Sequence, residues 1–187
     1  MEAANLNADA LFTITCPEKH GPIDRSVYKM PLSRESLLEF WKRARKYSNL
    51  FTREINDNFN TFVSLFIEEK GDGSIEGKGL LYRVDDYVGI FYMTEIDSPN
   101  DALVHFTFLD GRIRGRDELA KGMLKYVFQT YGFRRVSAHV PMYVVPAALE
   151  FVERVGFKKE GRKRKCVMHK GEWFDMMQFG ILSTEVQ

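Results

Sequence analysis

The clearest chemical feature of the sequence is a loop rich in arginine and glycine at residues 111–117. It reads Gly-Arg-Ile-Arg-Gly-Arg-Asp and stands between a run of strand-forming residues and an apolar pattern with helical spacing. Because the first turn of a helix leaves its backbone N–H groups unpaired, several of them can point at one anion. Arginine side chains add charge-assisted hydrogen bonds to phosphate oxygens. The loop therefore predicts a phosphate-binding site, with a solvated basic turn as the alternative.

A few ionisable side chains near this loop are candidates for moving a proton. His105 lies in a predicted strand, and a neutral imidazole is a suitable base near pH 7. Tyr143 follows the next strand along the chain, where its phenol can serve as an acid. Glu95 can relay a proton through water, and His139 is interpreted as structural. The alternative for each candidate is a side chain that only packs or faces solvent.

Length and composition limit the classes of protein to consider. The chain has 187 residues, 44% of them hydrophobic and 28% charged, which suits one well-buried core. A net charge of +1 gives no global field for nucleic acid or membrane. The two cysteines, Cys16 and Cys166, indicate neither a disulfide framework nor a metal site. We find no apolar run of about 18 residues and no signal-peptide pattern, so we expect a cytoplasmic protein.

In the first half of the chain, the pattern of apolar residues predicts one helix followed by strands. A short strand is expected at 11–15, and the proline-punctuated segment 16–31 is expected to be irregular. Ser33 is a good N-cap for a helix whose apolar face includes Leu37 and Trp41. Residues 49–60 are interpreted as a connection and 71–79 as a turn. The predicted strands are Phe62–Glu68, Leu80–Val84, Tyr87–Thr94 and Ala102–Leu109.

In the second half, helices and strands alternate. Apolar residues from Leu119 to Tyr131 recur at helical spacing, and Gly132 stands where a helix-ending glycine belongs. A strand is expected over Arg135–Val140, then a helix from Pro146 that stops at Gly156. Residues 157–165 are basic and extended, 170–173 form a turn, and Phe174–Leu182 is the last strand. The whole pattern predicts an α+β fold with a mixed sheet.

This order of elements resembles the GCN5-related N-acetyltransferase (GNAT) superfamily, and so do the residues of the loop. Members bind the coenzyme A pyrophosphate with a Gln/Arg-x-x-Gly-x-Gly/Ala loop between a strand and the following helix. Arg112 and Gly115 match this pattern, while Asp117 replaces the small residue of the family. The resemblance covers roughly residues 30–183 and is best over 104–183.

The C-terminal residues also resemble the GNAT branch that acetylates ribosomal proteins. In that branch a short helix ends in Gly-Phe, and Glu-Gly-Arg, a basic strand, a glycine turn and an aspartate-led strand follow. The matching positions here are Gly156-Phe157, Glu160-Gly161-Arg162, Gly171 and Asp175.

The resemblance implies a mixed, mostly antiparallel sheet of about seven strands flanked by about four helices. It further implies one domain over 1–187, with an irregular segment at 1–30. Strands 102–109 and 135–140 are expected to lie parallel and to diverge at their C-terminal ends, where the thioester of acetyl-coenzyme A (acetyl-CoA) enters. No metal is implied. The implied acetyl-CoA-binding residues are Phe108, Leu109, Arg112, Ile113, Arg114, Gly115, Arg116 and Asp117.

The family's usual catalytic side chains are missing from their expected positions. GNAT enzymes transfer the acetyl group directly, and many use a tyrosine in the second conserved helix to protonate the sulfur. That position here is Val152, and the family's nearby asparagine and serine positions hold Val145 and Ala148. His105 as base and Tyr143 as acid are therefore the catalytic residues that we nominate in their place.

Several functions remain open at this point. The first is an N-acyltransferase that moves an acetyl group from acetyl-CoA to a primary amine of a protein or small molecule. The alternative is a non-catalytic GNAT-like domain that serves as an assembly, structural or regulatory module. A third is nucleic-acid binding through the basic strip at 158–165. The balanced net charge disfavours this function, and the alternative for the strip is a solvated strand face. A homodimer is a further option.

Overall fold

The protein has ten strands and four α-helices in the part of the chain that the computed structural model describes, residues 9–19, 21–47, 55, 57–111, 113–144 and 146–186. The helices are α1 (Arg34–Ala44), α2 (Phe59–Val63), α3 (Arg116–Tyr131) and α4 (Pro146–Val155). The strands are β1 (Phe12–Cys16), β2 (Ile23–Lys29), β3 (Ile67–Glu69), β4 (Ile75–Gly77), β5 (Leu80–Val84), β6 (Gly89–Asp97), β7 (Asp101–Phe108), β8 (Arg135–Pro141), β9 (Lys158–His169) and β10 (Glu172–Leu182). A single 3₁₀ turn, Ser183–Glu185, follows β10.

The main sheet has eight strands in the order β1-β2-β5-β6-β7-β8-β10-β9, and β3 and β4 form a separate hairpin. Every neighbouring pair is antiparallel except β7 and β8. The predicted α+β class, with a mixed and mostly antiparallel sheet, is confirmed, with eight strands in the sheet where about seven were expected. Within the described residues no helix is long and apolar enough to cross a membrane.

The irregular segment expected at 1–30 is wrong over its second half, because β1 and β2 form a regular hairpin there. Five residue pairs join the two strands, and β2 also pairs with β5 from Val27↔Val84 to Lys29↔Tyr82. Val27 is fully buried, which anchors β2 to the core. The prolines that suggested irregular structure, Pro17, Pro22 and Pro31, flank the strand without interrupting it.

The strand predicted at Phe62–Glu68 is also wrong, since α2 occupies its first residues and β3 begins only at Ile67. The Asn58 side chain caps α2 by accepting hydrogen bonds from the N–H groups of Asn60 (2.9 Å) and Thr61 (3.2 Å). The aromatic residues that suggested a strand pack in the core instead, with Phe62 edge-on to Phe40 at 5.3 Å. The turn predicted at 71–79 contains β4, paired with β3.

The two faces of the sheet pack against different helices. Along β6, Ile90 and Tyr92 belong to the cluster under α1 and α2, while Phe91 and Met93 belong to the cluster under α3 and α4. Because neighbouring side chains of a strand point to opposite faces, the two helix pairs cover opposite sides. Each ionisable side chain on β7 or β8 can therefore be assigned to one face.

The strands β7 and β8 separate soon after they meet. They are joined by α3 and lie parallel, as expected of a strand–helix–strand unit. Their one registered pair is Leu103↔Ser137, and the remaining residues of both strands up to Phe108 and Pro141 are unpaired with each other. On its other side β8 pairs with β10 along its whole length. The predicted divergence of the two strands is confirmed, and it opens a gap in the sheet.

Candidate active site

Two histidines stand on opposite walls of this gap. His105 is two residues beyond Leu103 on β7, and His139 is two residues beyond Ser137 on β8. The alternation of side chains places both on the same face of the sheet. That face is the one covered by α1 and α2, because the residues before and after each histidine lie in the α3/α4 cluster. The first ionisable side chains beyond the last paired residues on this face are thus two imidazoles.

His105 is held by its neighbours on β6. Its ring stacks on Tyr92 with centroids 4.3 Å apart and planes 7° apart. Its Nε2 atom lies 3.2 Å from Thr94 Oγ1, at hydrogen-bonding distance. Burial, together with the positive charge that His139 can carry, lowers the pKa of His105 to about 4. The imidazole is therefore neutral near pH 7.

His139, which the sequence led us to interpret as structural, lines a cleft of about 420 Å³ on this face. We call it the acceptor cleft. Its lining residues are Glu95, Asp97, Asp101, Leu103, Arg135, Ser137, His139, Glu160, Gln178 and Phe179. His139 Nε2 is 3.5 Å from the side-chain nitrogen of Gln178 on β10, a weak contact. Burial and Lys163 lower the pKa of His139, while Glu95 and Asp101 oppose that shift. Only the strand register could have indicated this histidine.

The acceptor cleft carries more negative than positive charge. Arg135 is paired with Asp101 (Nε–Oδ2 3.2 Å) and with Glu160 (Nη2–Oε2 2.7 Å), so these two carboxylates are compensated. Glu95 and Asp97 have no ion pair within the described residues. Glu95 also has a left-handed backbone, with φ of 49°, where the pairing of β6 with β7 is irregular. Strained residues at such irregularities are often found beside functional sites.

Tyr143 lies beyond the end of β8, against the β9–β10 hairpin. Its ring stacks on His169 at 4.0 Å and meets Phe174 edge-on at 5.7 Å. Burial raises the pKa of its phenol, so the hydroxyl keeps its proton at neutral pH. That hydroxyl makes no hydrogen bond with any other residue that the structure describes. The structure thus packs the ring and does not bring Tyr143 into contact with His105.

The loop before α3 presents backbone N–H groups at the end of the sheet where β7 and β8 diverge. The first hydrogen bond of the helix runs from Leu119 N–H to Gly115 C=O, at 2.9 Å. The N–H groups of residues 116–118 precede it and have no helical partner. Gly115 has a left-handed φ of 65°, and a Cβ there would lie 2.6 Å from Cys16 Cβ and 2.9 Å from Pro17 Cδ. The chain's own N-terminal hairpin therefore requires this glycine, independently of any ligand.

The charged residues of the loop have different roles. The Asp117 carboxylate binds Arg154 on α4 through two contacts of 2.7 and 3.2 Å. Arg116 folds back and donates to the carbonyls of Ile113 (3.1 Å) and Gly111 (2.7 Å). Arg114 is exposed and makes no polar contact with the other described residues. The predicted ligand Arg112 lies outside the described residues.

The remaining predicted positions that the structure describes lie in or against the core. Ile113 is buried in the core, and Phe108 meets Phe151 of α4 edge-on at 5.6 Å. The carbonyl of Leu109 accepts a hydrogen bond from Tyr47 Oη at 2.5 Å. Val152, where the family often has tyrosine, is buried in the cluster under α3 and α4. Ala148 packs against that cluster, and Val145 is outside the described residues.

The fold and the divided sheet define the class of protein. A family model described as the acetyltransferase (GNAT) domain matches residues 38–178, and the chain belongs to this family. The resemblance seen in the sequence is confirmed at the level of the superfamily.

Individual relatives are distant. The chain is 24% identical over 106 residues to the SPbeta prophage-derived uncharacterized N-acetyltransferase YokL of Bacillus subtilis (strain 168), a match covering 55% of this chain and 59% of that relative. A mutant form of spermidine N-acetyltransferase SpeG from Vibrio cholerae has a TM-score of 0.66 at 17% identity, covering 86% of this chain and 96% of that one. A GNAT-family acetyltransferase from Bacillus anthracis has a TM-score of 0.58 at 18% identity, covering 93% and 100%. These structural likenesses concern the fold.

Proposed function

We propose that the protein is an N-acetyltransferase that moves the acetyl group of acetyl-CoA to a primary amine of a small molecule or protein. The observation that carries this proposal is the separation of β7 from β8 after Leu103 and Ser137, with imidazoles on both walls. A gap between parallel strands lets a thioester pass through the sheet to an amine on the other face. Family membership supports the same reaction class.

The donor side of the proposed site, where acetyl-CoA would bind, lies between the end of β7 and the start of α3. Acetyl-CoA would supply an acetyl group activated as a thioester, and its pyrophosphate fits the unpaired N–H groups of residues 116–118. The exposed Arg114 guanidinium is free to pair with phosphate oxygens. Because Arg154 engages the Asp117 carboxylate, that group does not occupy the N–H groups. The residues present thus fit a diphosphate.

The acceptor side is the acceptor cleft on the opposite face. The uncompensated carboxylates Glu95 and Asp97 favour a cationic substrate, and most primary amines are cations at pH 7. The comparison with a spermidine N-acetyltransferase suggests a polyamine as a first acceptor to test. A protein amine is the second, and the open cleft is compatible with both.

Two groups in this arrangement can handle protons. His105 is neutral near pH 7 and lies on the wall of the gap, where it can accept a hydrogen bond from the amine. Tyr143 is proposed to return a proton to the leaving sulfur, since its hydroxyl is protonated and free of other described partners. Val152 cannot perform that step.

The test has two parts. Calorimetry with acetyl-CoA should show one binding site per chain, and an assay of free thiol release should detect turnover with at least one amine from a panel of diamines, polyamines and peptide N-termini. An Arg114→Ala variant should bind acetyl-CoA about tenfold more weakly, which corresponds to about 1.4 kcal/mol. The matched control is Lys125→Ala on the exposed side of α3, which should bind normally. Binding without turnover on any acceptor would instead support the non-catalytic alternative.

A further inference from the structure

We infer that His139, rather than His105, is the catalytic base, which takes the proton from the ammonium group of the acceptor. This inference rests on the proposed function and adds the identity of the base. The first support for this assignment is the position of His139 in the fold. His139 lines the acceptor cleft on the far wall of the gap, whereas His105 is not among the residues lining that cleft.

The contacts of the two imidazoles also favour His139 as the base. His105 Nε2 is engaged by Thr94 Oγ1 at 3.2 Å, and its ring is stacked on Tyr92. His139 Nε2 has only the contact with Gln178 at 3.5 Å, near the limit of a hydrogen bond. An incoming amine can replace that weak contact at little cost, while it would have to break a better one at His105. The lone pair on His139 is therefore easier to reach.

The charges facing His139 suit a base that must be neutral before it acts. Lys163 on β9 favours the neutral imidazole, and Glu95 on β6 and Asp101 on β7 favour the cation. Arg135 on β8 is already paired with Asp101 and with Glu160 of β9, so it adds little net field. His105 across the gap is neutral near pH 7. The burial that lowers the pKa of His105 to about 4 makes it a weak base.

The proposed step moves two protons and one acetyl group. The ammonium group gives one proton to His139 Nε2 and becomes a neutral amine. The amine nitrogen forms a bond to the acetyl carbon, the carbon–sulfur bond breaks, and the second nitrogen proton passes to the sulfur through Tyr143. The product is an acetamide and a free thiol. His139 then releases its proton to water through the open cleft.

Steady-state kinetics of His139→Gln and His105→Gln against pH test this assignment. We expect His139→Gln to lower kcat/KM about 10²-fold at pH 7 with acetyl-CoA affinity unchanged, and to remove the ionisation of His139 from the pH profile. His105→Gln should lose less activity and keep that ionisation. An aromatic amine is already neutral at pH 7 and has no ammonium proton for His139 to take, so it should be acetylated nearly as well by His139→Gln as by the wild type.

A second measurement does not depend on turnover. An NMR titration of the imidazole Cε1–H signals in the unliganded protein should give His139 a higher pKa than His105. The inference is overturned if the order is reversed, or if an active wild type and His139→Gln share one pH profile. A wild type that acetylates no amine would overturn the proposed function itself, and the two failures are thereby distinguishable.

Discussion

Asp117 in the first turn of α3 and Arg154 in the last turn of α4 are joined by a two-point ion pair. Arg154 Nε lies 2.7 Å from Asp117 Oδ2, and Nη2 lies 3.2 Å from Oδ1. The pair ties the two helices of one face together at the edge where the phosphate groups are proposed to bind. It also neutralises a carboxylate that would repel them.

Removing Arg154 should therefore weaken acetyl-CoA binding without unfolding the protein. We expect Arg154→Ala to lower the affinity about three- to tenfold, since the freed Asp117 carboxylate competes with the phosphates for the helix N–H groups. Arg154 is 53% exposed, so the stability should change little. Calorimetry measures the affinity. The double variant Asp117→Ala/Arg154→Ala should recover most of it, and an affinity that stays low would contradict this explanation.

Gly115 and Gly132 provide a matched pair for the packing of the loop. Both have left-handed backbones, with φ of 65° and 67°, but a Cβ on Gly115 would clash with Cys16 while one on Gly132 would meet nothing within 4 Å. Gly132→Ala should cost about 1 kcal/mol of unfolding free energy, from the backbone alone. Gly115→Ala should cost at least about 2 kcal/mol more, because Cys16 and Pro17 must move. Urea unfolding compares the two variants. Equal losses of unfolding free energy would show that Cys16 and Pro17 move aside without a measurable cost.

Stability should depend on pH through His105. Its pKa is lowered from 6.5 to about 4, so the unfolded chain binds the proton more tightly than the folded one. The free energy of unfolding should thus fall as the pH drops from about 6.5 towards 4, and this group should have little effect above pH 7. Relative to His105→Gln, the wild type should lose on the order of 1–2 kcal/mol between pH 7 and pH 5. Parallel losses in the two proteins would indicate that the imidazole titrates normally.

Glu95 should contribute to the recognition of cationic acceptors. Replacing it with glutamine should raise KM for a diamine about five- to tenfold, with a smaller effect on a monoamine and on kcat. High salt should reduce the difference, because the carboxylate is exposed. Glu153→Gln is the control, since Glu153 is exposed on α4 at the opposite face. If the two variants raise KM equally, the acceptor does not lie in the acceptor cleft.

The Tyr143→Phe variant should distinguish the role of the hydroxyl from that of the ring. Phenylalanine can keep the stack on His169 and the edge contact with Phe174, so the fold and acetyl-CoA affinity should be preserved. Loss of the acid should lower kcat by about tenfold or more. Steady-state turnover and thermal unfolding are measured on the same preparation. A variant with the kcat of the wild type would assign Tyr143 to packing alone.

Local sequence determined much of the fold. The mostly apolar run Leu80–Val84 and the helical spacing between Leu119 and Tyr131 are short-range signals that one segment carries by itself. Gly132 marks the end of α3 in the same way. Where tertiary packing overrides local preference, as at Phe62 in α2 and along β2, the predictions from sequence were wrong.

Only the tertiary structure decided which side chains meet. The sequence alone indicated the arginine–glycine loop, His105 and Tyr143, and it supported the family. It could not show that His139 faces the same gap as His105, because that depends on the single pairing of Leu103 with Ser137. Nor could it show that Asp117 is drawn to Arg154, 37 residues away. Contacts of this kind arise from the register of strands and the packing of helices, and no local pattern encodes them.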